Sequence, residues 1–223
     1  MKTWGAAFAL NGGKLNQDTG ISWNYDPAKN DGYPQPGVNA LRDAASWEDV
    51  GEAAFNGLLD GAVPTLSGSA YQIGTVEQLA WFAYQANNGN RTIQGDLTAN
   101  IDMAAAESQY ISSGSVSRLN WVPIGKTASQ VFQGVFGQGN QRVYEIQNLY
   151  VNQAGVAGLF GGVTGNGKVM NTGVSGCSVT ATDTGKAGGI AGRLWDNALI
   201  SRCYNRGGST VAARGTGDCD AGG

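Results

Sequence analysis

Residues 157–161 read Ala-Gly-Leu-Phe-Gly, and residues 188–192 repeat this small, apolar pattern as Gly-Gly-Ile-Ala-Gly. A second pair of segments, Val-Met-Asn at 169–171 and Ile-Ser-Arg at 200–202, has the same separation of 31 residues (188 − 157 and 200 − 169). A fixed period of this length is typical of proteins built from stacked repeats. Neither copy has the apolar stripe of a helix, and short apolar runs between glycines and asparagines indicate strands and turns.

One repeat of this kind is too small to bury its own apolar side. Stacking one repeat on the next buries a continuous apolar column. The sequence therefore predicts a mainly β protein, a β-solenoid in which strands and turns alternate and each coil is hydrogen-bonded to the next coil.

The repeat resembles a known family. The motif Leu159-Phe160-Gly161, followed by strands that carry asparagine, is similar to the GLUG repeat of bacterial surface and secreted proteins. Four earlier segments are also similar to the sequence that precedes such repeats: Tyr-Gln-Ile-Gly-Thr-Val-Glu-Gln-Leu-Ala at 71–80, Leu-Thr-Ala-Asn-Ile-Asp at 97–102, Trp-Val-Pro-Ile-Gly at 121–125 and Phe-Gln-Gly-Val-Phe-Gly-Gln-Gly at 132–139. The resemblance covers residues 69–223.

The resemblance implies a right-handed parallel β-helix within a long exported protein. It brings no catalytic, cofactor-binding or metal-binding residues with it, because the family has no agreed set. We therefore expect a non-catalytic structural or adhesive segment of a large bacterial cell-surface protein, an adhesin located outside the cell. The expected partners are surface glycans or proteins and neighbouring repeats of the same chain.

Changes in sequence character divide the chain into four segments. The first is residues 1–36, which the resemblance to GLUG-type proteins implies are the end of a preceding repeat block. The others are a partly helical linker (37–68), a capping strand and helix (69–91) and the β-helix itself (92–223). Residues 220–223, Asp-Ala-Gly-Gly, resemble residues 186–189, Lys-Ala-Gly-Gly, which open a repeat. The expectation is that a further coil begins there and that the β-helix is truncated at its C-terminal end.

Two helices are predicted before the repeats. Ser46 followed by the acidic residues Glu48 and Asp49 predicts a helix start in the linker, because a side-chain acceptor and negative charge both stabilise a helix N-terminus. Thr75 predicts the second helix, with Gln78 completing a capping box. The apolar face of the second helix is suited to cover the first coil, and it consists of Val76, Leu79, Ala80 and Ala83.

Bulk composition excludes several classes of protein. The net charge is −3 and Lys and Arg form no run, which argues against a nucleic-acid partner. No apolar stretch reaches the length of a membrane-spanning helix. The sequence contains no histidine, which excludes Ser-His-Asp and Cys-His catalysis and the common zinc sites.

Carboxylates are then the remaining candidates for acid–base chemistry. Asp96 and Asp102 lie near the predicted cap, where turn acceptors are needed, and this structural role is the one we predict. The alternative function is a carbohydrate-active or glycan-binding β-helix module. Its catalytic form requires a groove with converging acids, and its binding form requires exposed rings.

Aromatic rings are the candidates for glycan binding. Trp121, Trp195 and Tyr204 have rings that can stack on sugars, although packing within the coils is the more common role of aromatic residues. Asn171 and Asn205 are predicted to have a structural role, either stacking in ladders or satisfying backbone groups at turns. The glycine-rich segments 137–140 and 165–168 are predicted to be tight corners with positive φ rather than phosphate loops.

The three cysteines form no Cys-x-x-Cys motif. Because three is an odd number, at most one disulfide can form within the chain. We predict buried thiols that pack within the coils, and the redox state of Cys177, Cys203 and Cys219 stays open.

Overall fold

The computed structural model describes residues 23–24, 35–36, 44–111, 117–215 and 219–222. Over these residues the protein is mainly β, and most of its sheets are parallel. The predicted end of a preceding block, residues 1–36, falls largely outside the described residues. Two short strands are described there, and they pair in antiparallel fashion.

The described elements are three helices and eighteen strands. The helices are α1 (Trp47–Phe55), α2 (Val76–Asn87) and α3 (Met103–Glu107). The strands are β1 (Trp23–Asn24), β2 (Gln35–Pro36), β3 (Thr65–Ser67), β4 (Ala70–Ile73), β5 (Gln94–Leu97), β6 (Ile101–Asp102), β7 (Val135–Phe136), β8 (Tyr144–Gln147), β9 (Tyr150–Ala157), β10 (Phe160–Val163), β11 (Lys168–Met170), β12 (Thr172–Ser175), β13 (Ser178–Gly188), β14 (Ala191–Leu194), β15 (Leu199–Ser201), β16 (Tyr204–Arg206), β17 (Thr210–Ala213) and β18 (Asp220–Gly222).

From β7 to β17 the chain contributes one strand to each of four sheets in turn. The strand orders are β15-β11-β7-β5-β4-β3, β16-β12-β8-β6, β17-β13-β18 with β9 also on β13, and β10-β14. All pairings among β4–β18 are parallel, and the pairing of β3 with β4 is antiparallel. Each strand therefore lies beside a strand of the previous or the next pass of the chain.

The register of these pairs follows the repeat in the sequence. Val169 pairs with Ile200, which confirms the predicted neighbours 31 residues apart (200 − 169). The N–H of Phe160 donates to the carbonyl of Ile190 at 2.8 Å, so the first motif also lies against its repeat. Residues 220–222 resemble residues 186–188 in sequence, and the two segments also pair in the structure, because β18 lies parallel to the end of β13.

Left-handed backbone recurs at the corners between strands. The corner that follows β7, β11 and β15 has positive φ at Gly137 (+79°), Asn171 (+48°) and Arg202 (+55°) in successive passes. A Cβ at Gly137 would lie 2.0 Å from the carbonyl oxygen of Met170, so this corner also needs the absence of a side chain. Together with a φ of +61° at Gly165, this confirms the predicted tight corners.

A column of phenylalanine rings runs through the interior. Phe132, Phe136 and Phe160 are each 0% exposed, and their ring centroids lie 5.1 to 5.4 Å apart in the two contacts that Phe160 makes. Phe82 of α2 contacts Phe132 at 6.2 Å and Phe136 at 5.4 Å. The second helix therefore packs directly against the apolar column.

Both predicted helices exist, with one difference in capping. Thr75 Oγ1 accepts a hydrogen bond from the backbone N–H of Gln78, as predicted. The carboxamide oxygen of Gln78 accepts from the N–H of Gly74 at 2.8 Å instead of from Thr75, so the second half of the predicted capping box is wrong. The two helices approach closely, because Gly51 of α1 leaves no room for a Cβ, which would lie 2.3 Å from the Ala80 carbonyl oxygen.

Candidate functional site

The polar outer face of the β16-β12-β8-β6 sheet carries the most extensive side-chain network on the described residues. In β8, Ile146 is 0% exposed and faces the core, so Glu145 and Gln147 point to the opposite face. Parallel pairing brings further polar residues into line with these two. We define the Glu145 cluster as Glu145, Gln147, Ser175, Tyr204 and Arg206.

A glycine on the middle strand allows the cluster to form. Gly173 pairs with Glu145 on one side and with Tyr204 on the other. A Cβ at Gly173 would lie 2.5 Å from the ring of Tyr204, which lies across this position. Because glycine leaves this space open, the Tyr204 hydroxyl passes over β12 and donates to Glu145 Oε1 at 2.6 Å.

Both oxygens of Glu145 are occupied. Oε1 accepts from the Tyr204 hydroxyl and is ion-paired with Arg206 Nη2. Oε2 accepts from Ser175 Oγ at 3.1 Å and from Gln147 Nε2 at 3.2 Å. A carboxylate has about four acceptor positions, so these donors satisfy it fully. The carboxylate is 5% exposed, since Tyr204 and Arg206 lie over it.

The network keeps Glu145 ionised. The hydrogen bond from Tyr204 is the largest cause that lowers the pKa of Glu145, and hydrogen bonds from Gln147, Arg206 and Ser175 lower it further. Burial of the carboxylate raises the pKa, but the net result is a fall from 4.5 to about 2. Burial, followed by the Glu145 carboxylate, raises the pKa of Tyr204. A carboxylate that is ionised and fully bonded is suited to joining strands. It has no free oxygen with which to accept a proton from a substrate.

The two predicted turn acceptors lie elsewhere. Asp96 Oδ1 accepts the N–H of Gly139 at 2.8 Å, and this holds the corner of the next pass. Asp102 Oδ1 caps α3 through the N–H of Ala104 at 3.0 Å and also accepts from Asn148 Nδ2 at 2.8 Å. Both aspartates therefore make the structural contacts predicted from the sequence, and neither belongs to the Glu145 cluster.

The three candidate rings have three different environments. Trp121 is 1% exposed and its Nε1 donates to the Leu159 carbonyl at 3.0 Å, so it is a core residue. Trp195 is partly exposed, packs against Gly162 and lies 4.8 Å from the guanidinium of Arg193. Tyr204 is held by Glu145.

The asparagines and cysteines singled out from the sequence also differ from one another in their contacts and burial. Asn171 Nδ2 donates to the Gly137 carbonyl at 2.9 Å, which confirms its predicted role at a turn. Asn205 Oδ1 lies 3.5 Å from the Cys177 sulfur. All three cysteines are free thiols, and burial raises the pKa of Cys177 and of Cys203. Only Cys177 is buried, so the prediction of buried thiols is wrong for Cys203 and Cys219, which are partly exposed.

The described part of the chain contains neither a metal-holding cluster nor a membrane-spanning helix. No cluster of three or more Cys, Asp or Glu side chains there is arranged to hold a metal ion. No helix among these residues is long and apolar enough to cross a bilayer. Comparison of the chain with protein families, with curated proteins and with solved structures finds no match.

Proposed function

We propose that the chain is a non-catalytic structural or adhesive segment of a large exported bacterial cell-surface protein. Its stacked parallel strands are proposed to be the coils of a right-handed parallel β-helix. Two features support this: the pairing of strands at the 31-residue spacing and the resemblance of the repeat to GLUG repeats. A stack of this kind places its outer strands in an extended row, which suits display or spacing outside the cell.

The Glu145 cluster is the observation on which the non-catalytic part of the proposal chiefly rests. Its side chains come from three successive strands, β8, β12 and β16, and they bond to one another across the sheet. The most extensive network of acid, hydroxyl and guanidinium groups among the described residues therefore holds neighbouring passes together. Asp96 and Asp102 likewise bond to the backbone of corners and caps.

The second candidate is a carbohydrate-active or glycan-binding β-helix module. Partly exposed rings beside arginines favour its binding form. They are the pairs Arg118–Tyr150, Arg193–Trp195 and Arg206–Tyr204, with guanidinium-to-ring distances of 4.8 to 5.4 Å.

An activity screen separates the proposed function from the enzymatic alternative. The purified chain is incubated with neutral and acidic polysaccharides, with and without calcium, and new reducing ends and unsaturated products are measured. We expect no product from any polymer. Turnover that Asp96→Asn or Asp102→Asn abolishes, with the fold intact by circular dichroism, would replace the structural and adhesive proposal with the enzymatic one.

A further inference from the structure

A cleft of about 360 Å³ opens beside the start of β9. Its lining residues are Ala45, Ser117, Arg118, Asn120, Tyr150 and Asn152. None of them belongs to the Glu145 cluster, and none is among the rings considered from the sequence. The volume lies within the range of about 300–1,000 Å³ that small-molecule sites occupy.

The arginine of this cleft is held in one orientation. Arg118 Nε donates to Glu107 Oε2 at 2.9 Å and to Oε1 at 3.1 Å, and Nη2 donates to the Asn148 carbonyl at 2.6 Å. Glu107 is 7% exposed, so the carboxylate that orients Arg118 is itself buried. The guanidinium carbon lies 5.4 Å from the centroid of the Tyr150 ring. The ring and the planar cation therefore form one fixed unit at the wall of the cleft.

A second wall is fixed by an asparagine. Asn120 Oδ1 accepts the backbone N–H of Asn152 at 2.7 Å, which sets the plane of the Asn120 amide. The backbone of Asn120 pairs with Ser46 and its carbonyl accepts from Trp47 at 3.0 Å, so the start of α1 supports this wall. The amide nitrogen of Asn120 and the exposed side chain of Asn152 on β9 are thus polar groups that line the cleft with the Tyr150 ring.

We propose that this cleft binds one residue of a neutral saccharide. A sugar has an apolar C–H face and a rim of hydroxyls, and a ring flanked by planar amides and a guanidinium complements both. The saccharide is neutral because the Arg118 charge is already balanced by Glu107, so an anion would have to compete with a buried carboxylate. The inference rests on the adhesive part of the proposed function and names the class of ligand.

Titration of the full chain with neutral oligosaccharides tests the site. The probes are soluble oligomers of glucose, galactose, mannose and N-acetylglucosamine, with oligogalacturonate as the acidic comparison. Binding is followed by calorimetry and by ligand-observed NMR. We expect weak, saturable binding of at least one neutral oligomer and none of oligogalacturonate. Tyr150→Ala should weaken it about tenfold or more, and Asn152→Ala about 3- to 10-fold, the amount expected for the loss of one hydrogen bond.

Tyr144→Ala is the matched control. Tyr144 also lies beside an arginine, Arg142, at 5.0 Å, but it does not line the cleft. Its removal should leave saccharide binding unchanged, and melting temperatures show whether each variant is folded.

Neutral-sugar binding that Tyr150→Ala and Asn152→Ala leave intact would overturn this site while keeping the adhesive function. Binding of none of the probes would overturn the site and leave the spacer role. Preference for oligogalacturonate would overturn the neutral class.

Discussion

The hydroxyl of Tyr204 donates to the carboxylate of Glu145 at 2.6 Å across a strand to which neither residue belongs. The strand between them contributes Gly173 at this level and Ser175 beside it, and Ser175 bonds to the same carboxylate at 3.1 Å. Three strands are therefore joined on their outer face by one buried acid, in addition to their backbone hydrogen bonds. This arrangement makes the stability of the stack depend on pH and on one glycine.

Acid should weaken the fold through Glu145. Its pKa is about 2 in the folded chain against an ordinary 4.5, so its contribution is fully present above about pH 4.5 and is lost as pH falls toward 2. Tyr204→Phe removes the largest cause of the lowered pKa and a hydrogen bond to a charged group. It should cost about 1.5–3 kcal/mol at neutral pH and flatten the loss of stability between pH 4.5 and 2.

Urea denaturation at a series of pH values measures this effect, with Tyr144→Phe as the control. The Tyr144 hydroxyl makes no hydrogen bond to another described residue, so its loss should leave the pH dependence unchanged. The same pH profile in the wild type and in Tyr204→Phe would show that Glu145 is not stabilised through Tyr204.

Gly173→Ala should separate the Glu145 cluster. The new Cβ would lie 2.5 Å from the Tyr204 ring, so the ring must move away and its hydrogen bond to Glu145 must break. We expect a loss of about 2–3 kcal/mol in the free energy of unfolding, combining the clash with the lost charged hydrogen bond. Gly222→Ala is the control, because Gly222 is also a strand residue and a Cβ there meets nothing within 4 Å. Equal effects of the two substitutions would contradict the prediction.

The features that could be predicted from the sequence depend on local or periodic signals. Val169 and Ile200 are neighbours because the pass that joins them is one 31-residue repeat long (200 − 169), so spacing along the chain becomes position in the sheet. Ser46 and Thr75 were recognisable as helix caps because a cap needs only the next three residues.

The Glu145 cluster and the cleft could not be predicted, because both depend on long-range register. Glu145 pairs with Gly173, which lies 28 positions later in the sequence (173 − 145). Gly173 pairs in turn with Tyr204, which lies 31 positions later (204 − 173). Because the two separations differ, a single sequence period does not align Glu145 with Tyr204. Arg118 meets Tyr150 only because the buried Glu107 orients its guanidinium. No motif in the sequence carries such an orientation.

Phe160→Ala should strongly destabilise the chain. The side chain is 0% exposed and contacts the rings of Phe132 and Phe136, so its loss leaves a cavity in the aromatic column. The expected cost is about 3–5 kcal/mol in the free energy of unfolding, measured by chemical denaturation. A change below about 1 kcal/mol would mean that the column contributes little to stability.

Arg202→Gly should stabilise the protein, although it removes a side chain. Arg202 has a φ of +55°, a conformation that costs a residue with a Cβ about 1–2 kcal/mol, and the equivalent corners of earlier passes carry Gly137 and Asn171. Its side chain is exposed, so little packing is lost. Glycine costs about 0.5–1 kcal/mol through the entropy of the unfolded chain, which leaves a net gain of about 0.5–1 kcal/mol.

Arg214→Gly provides the matched control, because Arg214 is also exposed but has no positive φ. Only the entropic cost then applies, and the variant should be destabilised by about 0.5–1 kcal/mol. Denaturation midpoints that move in opposite directions for the two arginines are the expected result. Destabilisation of both would show that the left-handed corner at Arg202 carries no strain.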